Sequence, residues 1–349
     1  MSAASPKQGF PLIQALRAGA ALAVAFIHIV HDALQLSPGN ATLAALYNAM
    51  PWAAGVDIFF VISGFVIVYS SRGLFTRPDA SRLFLARRLA RIVPLYWFTT
   101  TLFLVNFLLL PGAIHGTVGG LGYILKSYAF IPAARPEGLV QPALGLGWTL
   151  NYEMFFYAVF TPFQFLRQHR AVIYATTSLT LFVLAGALIG FPGTALPFWS
   201  NPIILEFCAG MGLAFLPGRL ALPWAPRALL AIAALAALHV HTQKGPERFY
   251  AWGLPAVMLI LAASTAKPAT RLPALELWLV RLGDASYALY LIHPFVMRAV
   301  SLIWHHLHAS ALAYAGLCLV LSQITALAVH KYGERPATRW LRTRLEPSR

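Results

Sequence analysis

An arginine and a histidine, Arg17 and His28, are the residues of this chain whose types and spacing point most directly to chemistry. Both stand in a stretch, Leu12 to Val30, that otherwise reads as a membrane span. An ionisable group there is costly, roughly 2.5–3.5 kcal/mol for Arg, and marks a functional position by default. Eleven residues of helix advance about 1100°, or three turns and about 20°, so the two side chains share a face. They lie roughly 16 Å apart along the axis. A cation near one membrane surface and an imidazole deeper on the same face suit an elongated anionic ligand whose reactive end meets a proton-handling group. Asp32, four residues beyond His28, is predicted to reach the ring, orient it and favour its charged form. A lipid headgroup is the alternative partner expected for His31. A metal site on His28 and His31 lacks a third ligand at metal spacing, so no metal is expected.

Further candidates are spread along the chain. Asp57 opens the apolar segment Gly55-Val-Asp-Ile-Phe-Phe-Val-Ile-Ser-Gly-Phe65 and is expected to pair with a histidine or hold an acceptor hydroxyl. Ser63 and Gly64 in that segment allow close helix approach. Ser63 lacks the strand–turn–helix setting of a hydrolase nucleophile. Arg88 and Arg91 share a face three residues apart and can clamp a phosphate. Arg72, Arg77 and Arg82 read as topology-setting loop charge. Glu153 follows Trp148 and Tyr152, which an interfacial aromatic belt explains by itself, and is expected to face an outer or central cavity. Glu206 is a weaker case of the same kind. Tyr287, Tyr290 and His293 fall on one face, ahead of a Pro294 that can expose a backbone carbonyl. Asp284 reads as a helix cap there, with Ser286 in the first turn.

The elements that must position these residues are membrane helices. Hydrophobic residues make up 59% of the chain and charged ones 11%, with mean hydropathy +0.68. A soluble domain carries about a quarter charged residues. The expected fold is all-α and polytopic, with about ten transmembrane helices at 10–33, 50–71, 88–110, 146–166, 171–190, 199–216, 227–241, 250–266, 284–304 and 310–330. The apolar piece 118–131 is too short to span and reads as re-entrant or surface-lying. Both termini are then cytoplasmic. The inner side receives Lys7, Arg17, the run Arg72 to Arg91, Arg167, Arg170, Arg219, Arg227, Lys267, Arg271, Arg281 and the tail from Lys331, while the outer side receives Lys126, Arg135, Lys244 and Arg248. The net charge of +15 follows from loops facing anionic lipid and calls for no nucleic acid. The first span has no small-residue cleavage site and reads as an uncleaved helix. Cys208 and Cys318 sit in apolar stretches as buried small residues. One membrane domain is expected over 9–336, with a short basic cytoplasmic tail over 337–349.

Taken in order, six segments resemble the membrane acyltransferase-3 family, which includes bacterial O-acetyltransferases of exopolysaccharide and lipopolysaccharide O-antigen. They are Arg17 with ten residues before His28; Asp57-Ile-Phe-Phe-Val-Ile-Ser-Gly-Phe65; Arg88-x-x-Arg91 with Ile-Val-Pro-Leu-Tyr96; Trp148-Thr-Leu-x-x-Glu153-x-Phe-Phe-Tyr157; Ser286-Tyr-x-Leu-Tyr-Leu-Ile-His293; and Glu334-Arg-Pro336. The resemblance covers about Pro11 to Pro336. It implies an acyl group, acetyl by preference, taken from cytosolic acyl-CoA and delivered to a carbohydrate hydroxyl on the far side of a bacterial inner membrane. Acyl-CoA is then a co-substrate, with no permanently bound cofactor. The resemblance carries over Arg17 and His28 as an arginine–histidine pair, Arg88 and Arg91 as paired arginines, and Glu153 as a carboxylate. With Asp32 added from its spacing to His28, the expected catalytic residues are His28, Asp32 and Glu153, and the expected donor-binding residues are Arg17, Arg88 and Arg91. Asp57, Tyr290 and His293 remain further candidates. The soluble hydrolase-like domain attached in some relatives is not among the matching segments, so the expectation is either that the membrane part is the whole enzyme or that acceptor delivery falls to a partner such as a polysaccharide-assembly protein. His28 acts either as general base, its tautomer held by Asp32 or Asp57, or as the acyl carrier of a two-step reaction.

Two other classes fit the same gross features. A glycolipid transporter or flippase also has ten spans with intramembrane charge, but paired broken helices and inverted halves are not visible here. A non-enzymatic subunit of polysaccharide export would make Arg17 and His28 dispensable.

Overall fold

The computed structural model describes residues 10–109, 118–240, 248–266, 273–304 and 310–346. Lys7, Lys244, Lys267 and Arg271, counted above in the charge bias, lie outside the described residues. Among the described residues every regular element is a helix, with no strand beyond an isolated bridge between Ala134 and Val140.

In chain order the helices are α1 (Pro11–Leu36), α2 (Ala41–Asn48), α3 (Gly55–Ser70), α4 (Ala80–Leu109), α5 (Leu121–Tyr128), α6 (Trp148–Phe160), α7 (Gln168–Ile189) and α8 (Ala195–Trp199). There follow α9 (Leu205–Leu213), α10 (Trp224–Val240), α11 (Leu254–Ser264), α12 (Ala274–Asp284), α13 (Ser286–Trp304), α14 (Ala311–Val329) and α15 (Arg335–Leu345). Among the described residues, six segments are long and apolar enough to cross a membrane: 11–36, 41–70, 80–109, 168–189, 286–304 and 311–345. Three shorter apolar helices occupy 202–213, 224–239 and 249–264. The protein is a helical membrane protein. The piece expected to be re-entrant holds α5, eight residues long and too short to span.

The chain divides into two compact units, residues 1–66 with 209–330, and residues 67–208 with 331–349. The first is organised around α1. Pro11 occupies its first turn, where a missing N–H costs nothing, and it ends before Ser37-Pro38-Gly39, with Gly39 at φ +85°. Asn40 then caps α2 by accepting from the Leu43 N–H at 3.1 Å. Helices α11, α12, α13 and α14 all pack on α1. Two glycines let neighbouring helices come close to α1, Gly55 at the start of α3 and Gly283 near the end of α12. A Cβ on Gly55 would stand 2.5 Å from the Ala20 carbonyl oxygen, and one on Gly283 would collide with the Gln14 backbone. Gly283 meets Gln14, Ser286 meets Arg17 and His293 meets His28, so α13 runs parallel to α1.

The second unit is built on α4, the 30-residue helix that carries the paired arginines, with Pro94 inside it. Helix α15 packs along α4, so the expected basic tail is largely helical. It is fixed there by Glu346, which accepts both a two-pronged pair of bonds from Arg87 at 3.0 Å and a bond from Arg342 at 2.9 Å. Arg77 is bound to Asp79 in the loop before α4. Tyr152 is not part of a lipid-facing belt. It is buried, stacks on Phe198 and donates to that residue's carbonyl at 2.7 Å.

Candidate functional site

In the first unit α1 presents Arg17 and His28 to the same neighbour, α13, as their shared face requires. The Arg17 guanidinium donates to Gln14 Oε1 and to Ser286 Oγ, both at 3.0 Å. His28 Nδ1 faces His293 Nε2 at 2.9 Å, with the ring planes 12° apart and 5.1 Å between centroids, the geometry of two rings meeting edge to edge. The other nitrogen of His293, Nδ1, lies 3.0 Å from the carbonyl oxygen of Leu289, one turn back along α13. His293 is fully buried, whereas His28 keeps partial access. The arrangement is one reachable imidazole backed by one sealed imidazole.

Neither carboxylate expected to orient His28 touches it. Asp32 follows on the same continuous helix, but its carboxylate accepts the hydroxyl of Tyr314 on α14. That phenol was not singled out in the sequence. Asp57 is 0% exposed, and both its oxygens are taken by Arg248 at 2.9 and 2.7 Å. Arg248 also stands over the Trp252 ring at 4.7 Å. A buried carboxylate needs a charged partner, and the loop arginine meets that need more fully than a neutral ring or a sugar hydroxyl. Asp284 closes α12 rather than capping α13, and Ser286, the first residue of α13, is the group that meets Arg17. Tyr290 is buried against the edge of Phe59, with centroids 6.3 Å apart.

The second unit gathers the paired arginines and Glu153. Arg88 Nη2 donates to Ser70 Oγ, and its guanidinium lies 5.7 Å from the Phe84 ring. Glu153 accepts the hydroxyl of Tyr157, one turn further along α6. Arg88 and Arg91 both lie within electrostatic range of Tyr157, and Glu153 within range of Arg88. Two cations against one carboxylate leave a net positive locus suited to an anion. Arg87, engaged with Glu346, is withdrawn from it. Glu206, the weaker candidate, is fully buried at the start of α9. Among the described residues no cluster of three or more His, Cys, Asp or Glu can hold a metal ion.

Residues 11–329 match the family described as the acyltransferase domain. The chain belongs to the acyltransferase-3 family. It is 34% identical over 302 residues to the exopolysaccharide production protein ExoZ of Rhizobium meliloti (strain 1021), covering 84% of this chain and 91% of that one. It is 28% identical over 367 residues to the acyltransferase MdmB of Streptomyces mycarofaciens, covering 95% of this chain and 92% of that one. No solved structure matches. The protein is an acyltransferase.

Proposed function

We propose that this membrane enzyme moves an acyl group, acetyl by preference, from cytosolic acyl-CoA to a hydroxyl of an extracytoplasmic or lipid-linked carbohydrate such as an exopolysaccharide. The observation that carries the reading is His28, a partly accessible imidazole inside a membrane helix, backed by a buried ring and aligned with Arg17. The name of the 34% identical relative, which refers to exopolysaccharide production, supports the choice of acceptor.

Arg88 and Arg91 bind the phosphates of the donor, since a guanidinium fork matches phosphate oxygens with two parallel bonds. Glu153 holds Tyr157 and balances part of their charge. His28 takes the proton of the acceptor hydroxyl, and the oxygen attacks the thioester carbonyl carbon. The carbon–sulfur bond then breaks. The thiolate takes the proton back from His28, leaving an ester and free CoA. Arg17 supports the donor arm along the same face of α1.

The same reading includes ten crossings with both termini in the cytoplasm of a bacterial inner membrane, and one enzyme domain over 9–336. The parallel run of α1 and α13 supports the count. Parallel spans need an odd number of crossings between them. Six of the apolar segments stand between these two, and α6 with the turn that follows it, 148–165, supplies a seventh.

The test is transfer of radiolabel from acetyl-CoA into the host glycan fraction, in membranes with and without the protein. Label that depends on the protein is the expected result. Absence of label with acetyl-CoA and with a panel of longer acyl-CoA donors would refute the donor class.

A further inference from the structure

We propose that His293 is a positioning residue, which fixes His28 in the one tautomer whose Nε2 is bare and able to accept a proton. This rests on the reading of His28 as the proton acceptor and names the group that makes it one.

The argument follows the hydrogens along the contact. A carbonyl oxygen only accepts, so the 3.0 Å approach of His293 Nδ1 to the Leu289 carbonyl requires the hydrogen on Nδ1. His293 is 0% exposed and its ring meets His28 and backbone carbonyls, with no carboxylate. An imidazolium without an anionic partner is expensive in such a place, so the ring carries a single hydrogen. Its Nε2 is therefore an acceptor. His28 Nδ1 sits 2.9 Å from that acceptor, and one hydrogen must lie between them. It belongs to His28 Nδ1. A neutral His28 then has nothing left to carry on Nε2, and that nitrogen is the base.

Pro294 strengthens the anchor. It has no N–H, so the Tyr290 carbonyl, four residues back in α13, loses its helical donor. That carbonyl also interacts with the His293 ring, which therefore sits beside two acceptors and no competing donor. The usual device for orienting a catalytic histidine is a carboxylate on its far nitrogen. Here the two nearby candidates are committed elsewhere, Asp32 to Tyr314 and Asp57 to Arg248. The relay also has a dead end. Once His28 has gained a proton, the excess can be shared with His293 but not passed to a carbonyl. The proton must return through His28 Nε2, where the departing thiolate needs it.

The experiment compares His293→Gln, His293→Asn and His293→Leu with wild type and His28→Ala, at matched membrane abundance. The readout is kcat and donor KM for acetyl-CoA, with label counted in the host glycan. A Gln amide keeps an acceptor near the position of imidazole Nε2 while its NH2 serves the carbonyls. An Asn amide serves the carbonyls but is too short to reach His28, and Leu does neither. The expected result is a fall in kcat of roughly 100-fold or more for Asn and Leu. Donor KM should be unchanged in both, and Gln should stay within about tenfold of wild type. If Leu fails to insert, the Asn and Gln pair carries the comparison. Gln as inactive as Asn, or Asn as active as wild type, would overturn the assignment while His28→Ala stayed inactive. An active His28→Ala would remove the base reading itself, and the tautomer assignment with it.

Discussion

The histidine pair and the arginine cluster satisfy their polar groups in opposite ways. Around His28 the contact to His293 and the next to Leu289 are single hydrogen bonds through imidazole nitrogens, and in the proposed assignment each is fixed by which partner owns the hydrogen. Around Arg88 the partners are charged, and cations outnumber the carboxylate. The first arrangement is sensitive to the place of one proton and barely attracts a charged ligand. The second attracts an anion and has little to say about where a proton goes. The acyl transfer proposed above uses both properties, and the residues proposed for each lie in separate compact units.

That division can be broken from either side. The largest effect is expected from His28→Ala, a loss of about 10²–10⁴ in kcat with donor KM little changed. A rise in KM with kcat intact would instead make His28 a binding group. Next comes Asp57→Ala, which strands Arg248 half-buried and should cost about 3 kcal/mol of stability. It would be read as a lower unfolding temperature in detergent, and an unchanged midpoint would mean the pair is not structural. Arg88→Ala or Arg91→Ala should raise donor KM roughly 10–100-fold, from the loss of a charged hydrogen bond, at nearly constant kcat. A pure kcat effect from either would erase the contrast between the regions.

The smallest effect belongs to Glu346. Burial pushes its carboxyl up, but the bonds from Arg87 and Arg342 outweigh this and hold it below the usual range. A depressed carboxyl contributes fully above its ordinary value, about 4.3, and its contribution fades as pH falls through the lower one. Glu346→Gln should therefore loosen α15 by less than about 1 kcal/mol at neutral pH, and acid should do the same to wild type. Protease cleavage of the tail measured against pH checks this. Identical cleavage of wild type and variant from pH 7 to pH 3 would count against it.

What the sequence made legible was local. The shared face of Arg17 and His28 follows from helical period alone, and α1 carries both without interruption. The pairing of Arg88 with Arg91, and the brevity of α5, follow in the same way. The partners were not legible because they lie far along the chain. His28 meets a residue 265 positions away, Asp32 one 282 away and Asp57 one 191 away. Period predicts a face, but which of several carboxylates or rings meets that face is decided by packing. Gly55 and Gly283 were the available signals, since glycines at the ends of apolar helices mark where another backbone comes close. Arg248 was read as loop charge because it stands just ahead of the expected span 250–266, and only the buried Asp57 reveals its use.

The 265 residues between the two histidines also set a schedule. At about 5–20 residues per second, His28 leaves the ribosome roughly 10–50 s before His293 does. During that interval α1 holds a histidine in lipid without its partner, at the energetic cost that attends any such group. On the assignment proposed above, the base acquires its tautomer only when α13 inserts, so a chain halted before residue 293 would hold His28 in its span without the group that sets it.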